Sequence, residues 1–166
     1  TGSANVALGQ QALNNSTTAS YNTAVGYQAA YNNTIGFDNV AVGRIALNFN
    51  TTGNFNTAVG SQALDANTTA SSNTSIGYGT LSANTTGNFN TALGSTALLK
   101  NTTANNNVSV GYQSLYDNTT GASNTALGTN ALGNNTTASN NTAVGYQSLL
   151  ANTTGASNVA LGKQSL

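Results

Sequence analysis

The stretch N-T-A-V-G-Y-Q-S-L-L-A-N-T-T-G-A-S, residues 141–157, decides the fold, because the whole chain is variations on this unit. With its first Asn as position 1, that position recurs as Asn5, Asn22, Asn39, Asn56, Asn73, Asn90, Asn107, Asn124, Asn141 and Asn158. The interval is 17 residues each time, with no insertion or deletion. Position 5 is always glycine: Gly9, Gly26, Gly43, Gly60, Gly77, Gly94, Gly111, Gly128, Gly145 and Gly162. Position 4 is only Val, Ile or Leu, and position 9 is Leu except at Ala30. Position 2 is Thr or Val, position 3 Ala or Ser, and position 13 always Thr.

Strict repetition has a direct physical reading. If each unit is one coil, equivalent residues stack at the interstrand spacing and form ladders along an axis. One extra residue would break every ladder beyond it. The T/V-A-V/I/L triplet favours a short strand, and the glycine after it a tight corner. Asn, Gly and β-branched residues are poor helix formers, which argues against helical repeats. The expected architecture is all-β: a parallel β-solenoid (β-roll) of ten coils, each of two or three short strands. The chain, residues 1–166, reads as a single repeat region, and its uncapped ends, with Thr1 and Gly2 already in phase at positions 14 and 15, read as a cut from a longer fibre.

Side-chain alternation sorts the positions within a coil. Positions 2 and 4 share a face, and position 4, never polar, is expected to be core. Position 9 supplies a second aliphatic column. Positions 3 and 8 accept only Ala, Ser or Thr, so two layers are expected to approach closely there. Positions 6, 7, 10, 11, 16 and 17 vary, carry every charge, and are expected to face solvent. The Asn columns at positions 1 and 12, the latter broken by Ser16, are read as carboxamide ladders joining coil to coil. They generate Asn-x-Thr sequons, such as Asn50-Thr51-Thr52, as a by-product rather than as glycan acceptors.

Composition removes most other functions. Three basic residues (Arg44, Lys100, Lys163) balance three acidic ones (Asp38, Asp65, Asp117), which leaves no electrostatic footprint for nucleic acid or anionic lipid. Cys, His, Glu, Met, Trp and Pro are absent, so thiolate and imidazole chemistry are unavailable. Asp65 and Asp117 lie three coils apart, about 14 Å by the strand spacing, too far for a glycosidase carboxylate pair. No metal pattern, phosphate loop or membrane-length apolar run occurs. Neither an enzyme, nor a metal, nor a cofactor is expected. A polysaccharide-cleaving fibre would need residues this segment lacks.

The core N-x-A-(V/I/L)-G-x-x-(A/S), as in residues 56–63, resembles the S-V-A-I-G-x-x-A head repeat of trimeric autotransporter adhesins. The unit at residues 141–157 is similar to repeats of phage tail-fibre-like proteins as well. The resemblance covers all ten coils. It implies a left-handed coil, three copies side by side as a homotrimer, and an extracellular place on a bacterial or virion surface. The adhesin repeat is typically 14 residues, so three additional residues here enlarge the coil around positions 9 to 14. Two large aliphatics per coil make a thin core, which independently favours homo-oligomers packed along a small-residue face.

Surface aromatics are the features most suggestive of recognition. Tyr27, Tyr78, Tyr112 and Tyr146 all occupy position 6, the last three on every second coil. Such a column could stack on sugars of a host-surface glycan, anchor a receptor, or cover seams between chains. The leading expectation is a rigid fibre or stalk segment with an attachment role. The alternative is an ice-binding solenoid that uses the Thr columns at positions 13 and 14, the second of which is interrupted by Ile35.

Overall fold

The computed structural model describes residues 2–166, so Thr1, read above as position 14 of a preceding coil, lies outside the described residues. Each coil contributes one three-residue strand at positions 2 to 4. These are β1 (Val6–Leu8), β2 (Thr23–Val25), β3 (Val40–Val42), β4 (Thr57–Val59), β5 (Thr74–Ile76), β6 (Thr91–Leu93), β7 (Val108–Val110), β8 (Thr125–Leu127), β9 (Thr142–Val144) and β10 (Val159–Leu161). They pair in parallel, strictly in chain order, and each register step is one repeat: Thr23 faces Val40, and Val40 faces Thr57. The protein is a parallel β-solenoid, and ten coils give a rod about 48 Å long.

The expectation of two or three strands per coil is corrected to one. Outside the triplet the backbone turns, because positions 7, 9 and 17 adopt left-handed conformations, with φ between 48° and 62°. Leu47, Gln62 and Phe55 are examples. A residue in that region cannot continue a strand. Left-handed backbone costs about 1–2 kcal/mol per L-residue, so something must hold it. The ladder does so. The Ile45 amide donates to the Tyr27 carbonyl of the coil before (2.8 Å). The Leu47 amide donates to Ala63 (3.0 Å), Phe49 to Asp65 (2.9 Å) and Thr51 to Thr68 (2.8 Å), all in the coil after. Backbone hydrogen bonding thus runs through the corners as well as the strand.

Position 5 requires glycine for two separate reasons. Its φ lies between 118° and 138°, where L side chains are strained. From Gly9 to Gly145, a Cβ would also come within 2.3–2.9 Å of the next coil's glycine carbonyl. The tight corner expected from the sequence is therefore also a point of backbone-to-backbone stacking.

The interior is where the expectation fails most instructively. Position 4 is not core. Leu8, Leu93 and Leu161 are 67%, 45% and 68% exposed, and positions 2 and 4 face outward on every strand, partly or fully exposed to solvent. From β2 to β10 the small residue between them turns inward: Ala24, Ala41, Ala58, Ser75, Ala92 and their equivalents are buried. Opposite them lie position 8 and the position 9 leucines, of which Leu47, Leu64, Leu81, Leu98, Leu115 and Leu132 are fully buried. The coil is only one small side chain deep at this point. The Ser75 hydroxyl reaches Thr80 Oγ1 directly across it, at 2.8 Å. A valine at position 3 would not fit such a gap. Alternation correctly groups positions 2 and 4, but volume rather than hydropathy decides which face points in. The small-residue face is accordingly interior, not an external surface for packing chains.

Candidate recognition surface

Two side-chain networks stiffen the coil and hold the surface in register. At position 1, each Asn side-chain oxygen accepts the next coil's position 1 amide, as from Asn56 N–H to Asn39 Oδ1 (2.9 Å). From Asn5 to Asn124 the Nδ2 donates to the position 15 carbonyl of its own coil, as from Asn39 to Gly53 (2.8 Å), whereas Asn141 Nδ2 has no partner among the described residues. At position 12, carboxamides bond directly to one another: Asn67 Nδ2 donates to Asn50 Oδ1 at 2.8 Å. Asn50 Nδ2 also reaches the Gly53 carbonyl at 2.9 Å, so that one oxygen receives both columns. Asn50 and Asn118, both within sequons, are completely buried, with their carboxamides committed to these bonds. In the folded state neither side chain is presented to solvent.

The four tyrosines at position 6 follow the glycine corner and are well exposed, Tyr27 at 44%, Tyr78 at 56%, Tyr112 at 51% and Tyr146 at 46%. Their main chains belong to the ladder. The carbonyls of Tyr78, Tyr112 and Tyr146 each accept the position 7 amide of the following coil, at 2.8, 2.9 and 2.8 Å. This ties the backbone of the column into the same inter-coil ladder as the strands. The intervening coils carry Ser95 and Thr129 at the same position, both smaller and partly covered. Lys163, one coil beyond Tyr146, holds its Nζ 6.0 Å from that ring's centroid, a cation–π contact.

The remaining aromatics divide. Phe37 and Phe55, on adjacent coils, pack edge to face with centroids 5.1 Å apart. Tyr21, Phe49 and Phe89 are exposed, whereas Tyr31 and Tyr116 are half-buried at position 10. Lys100 and Asp117 form an exposed ion pair at 2.7 Å between stacked position 11 residues, with the ammonium 5.1 Å from the Tyr116 ring. The Asp117 hydrogen bond raises the Lys100 pKa. Asp65 has the opposite problem. It is half-buried, its Oδ1 has no partner among the described residues, and desolvation raises its pKa against a partial offset from Ser82.

The Thr column at position 13 is engaged by the fold itself. Thr51 Oγ1 donates to the Thr68 carbonyl of the next coil at 2.9 Å, and the same bond recurs along the rod. Position 14 stays exposed, as at Thr52, Thr69 and Thr86, in single file.

The feature that sequence reasoning missed is the outward aliphatic strip along β1 to β10. A signal for it was present. Ser appears at position 3 only in coils with a hydroxyl at position 8, namely Ser75 with Thr80 and Ser109 with Ser114. In the structure these pairs hydrogen-bond across the interior, which places position 3 inside and its neighbours outside. No protein-family model matches the chain, and neither a curated protein nor a solved structure matches it.

Proposed function

We propose that the chain is a rigid structural segment of an extracellular fibre or stalk, on a bacterial or virion surface, in which copies pack side by side. The observation that carries this reading is the uncovered aliphatic strip. Positions 2 and 4 of ten parallel strands form one continuous face, about 10 Å wide and about 48 Å long by strand dimensions. Leu93, Leu127 and Ile76 are 37–45% exposed on it. The unbroken aliphatic column at position 4, flanked by Thr or Val at position 2, marks an interaction surface. A second copy is the natural occupant, since an indel-free rod matches itself coil for coil along its length.

A homotrimer of left-handed coils, with the three strips facing a common axis, is the arrangement we favour, by resemblance to the adhesin head repeat. In it the polar corners face water and the Tyr column stays available for attachment, as in surface adhesins or tail fibres. The test is the mass of the purified chain by light scattering after size exclusion. Three copies per particle is the expected result, with Val110→Asp on the strip reducing the mass to one chain. A folded, monodisperse monomer of the unaltered chain overturns the assembly.

Ice binding is the second reading, and the structure changes which face it would use. The position 13 hydroxyls are taken up by the ladder, but six of the ten strands carry an outward Thr at position 2 beside an aliphatic at position 4. That regular, flat face is what would order water. Measurable thermal hysteresis from a monomeric sample would favour it, and none at millimolar protein disposes of it.

A further inference from the structure

Over coils four to nine the chain carries a second period, of two coils, laid over the first. Position 6 reads Ser61, Tyr78, Ser95, Tyr112, Thr129, Tyr146, and position 15 reads Ala70, Gly87, Ala104, Gly121, Ala138, Gly155. A ring on every coil would sit about 4.8 Å from its neighbours, close enough for the rings to stack on one another and show only edges to solvent. A ring on every second coil is about 9.6 Å from the next, with a small Ser or Thr between. Each ring is then clear of the other tyrosines and can offer a face, with the Lys163 ammonium 6.0 Å from the Tyr146 centroid at the end of the row. The three rings are about half exposed, and their backbones are locked into the inter-coil ladder. Beside Tyr112 and Tyr146, position 7 supplies carboxamides from Gln113, Asn130 and Gln147, which can donate to and accept from hydroxyl groups. Gln147 Oε1 also accepts from Gln164 Nε2 at 3.1 Å, and Tyr78 is followed by Gly79.

We infer that Tyr78, Tyr112 and Tyr146 form a flat binding platform for an extended β-1,4-linked polysaccharide, of the cellulose and chitin type. In such a chain successive sugars are turned over by half a rotation. Equivalent pyranose faces therefore recur once per disaccharide, a length close to the two-coil advance of the solenoid. Each tyrosine takes the apolar face of one sugar in every pair, and beside Tyr112 and Tyr146 the neighbouring carboxamides meet the equatorial hydroxyls at its rim. Helical α-linked glucans lack a straight repeat of this length and fit poorly. Tyr27, three coils before Tyr78, is out of this spacing and is not part of the platform. The inference deepens the attachment role proposed above and needs the tyrosine column to remain exposed in whatever assembly forms.

The experiment is depletion of the purified chain from solution by microcrystalline cellulose and by chitin particles, with granular starch as the comparison. Saturable retention on a β-1,4-linked polymer but not on starch is expected. Tyr112→Ala should weaken it by about two- to tenfold, and the triple Ala variant should abolish it. Tyr112→Phe keeps the ring and should retain binding, as should Tyr27→Ala. Circular dichroism on each variant confirms that the coil is intact. No retention by either polymer, or retention unchanged in the folded triple variant, overturns the inference. Light scattering on the same samples separates the two proposals. A monomer that binds through the tyrosines defeats only the assembly, and a trimer that does not bind defeats only the platform.

Discussion

At the residue scale, the chain carries few ionisable groups, and one of them is poorly accommodated. Asp65 sits half-buried at position 10, with one carboxylate oxygen unpartnered among the described residues. Burial raises its pKa, so the folded state holds the proton more tightly than the unfolded chain does. Stability linked to this group is therefore greatest below the ordinary carboxylate range. It falls as pH rises from that range through the raised folded value. Asp65→Asn should remove this slope and leave the protein more stable at neutral pH, by less than about 1 kcal/mol because solvent still reaches the group. Urea denaturation at several pH values from acid to neutral checks both points. A parallel pH dependence in the two proteins would show that Asp65 is not its source. The residues that bear on this were readable from the sequence as lone charges at variable positions. Their pairing was not: Asp117 finds Lys100 one coil away while Asp65 finds no cation among the described residues.

At the scale of the coil, hydroxyls inside the core are tolerated because each finds a partner, across the coil or, for Ser148, in the next coil. The Ser109 hydroxyl is hydrogen-bonded to the Ser114 hydroxyl and carbonyl, and Ser114 Oγ also reaches the Gly111 carbonyl. The flanking coils have Ala92 with Ala97 and Ala126 with Ala131 at the same places. Replacing one serine by Ala disrupts the cross-core bond and should cost about 1 kcal/mol. Replacing both recreates the neighbouring coils' packing and should cost less than the sum of the singles. A double-mutant cycle by chemical denaturation measures the coupling, and simple additivity would mean the two hydroxyls act independently. The triplet and its glycine were legible as strand and corner, since β-branching and an invariant Gly are local signals. The left-handed residues were not. Leucine at position 9 has no local preference for that conformation and is held there by burial and by the inter-coil hydrogen bond of its amide, as Leu47 shows.

At the scale of the whole molecule, stability is a sum over nearest-neighbour coil contacts. Deleting one full unit, residues 90–106, rejoins equivalent positions and should yield a folded rod shorter by about 4.8 Å, with unchanged circular dichroism per residue. Inserting one glycine between Ala92 and Leu93 should instead split the rod at β6, since it turns Leu93 from the outer face toward a core one alanine deep. Thermal melting that is single-step for the deletion and two-step or lost for the insertion is the expected pair of results. Equal behaviour of the two variants would contradict the nearest-neighbour account. The sequence by itself determined the repeat length, the parallel in-register stacking, the glycine corners and the columns of asparagine. Each of these follows from what recurs at fixed spacing. Only the tertiary structure decided which side of the strand is inside. Alternation is symmetric between the two faces, and hydropathy votes for the larger residues. The choice is made by the depth of the coil, which admits Ala or Ser and turns Val, Ile and Leu outward.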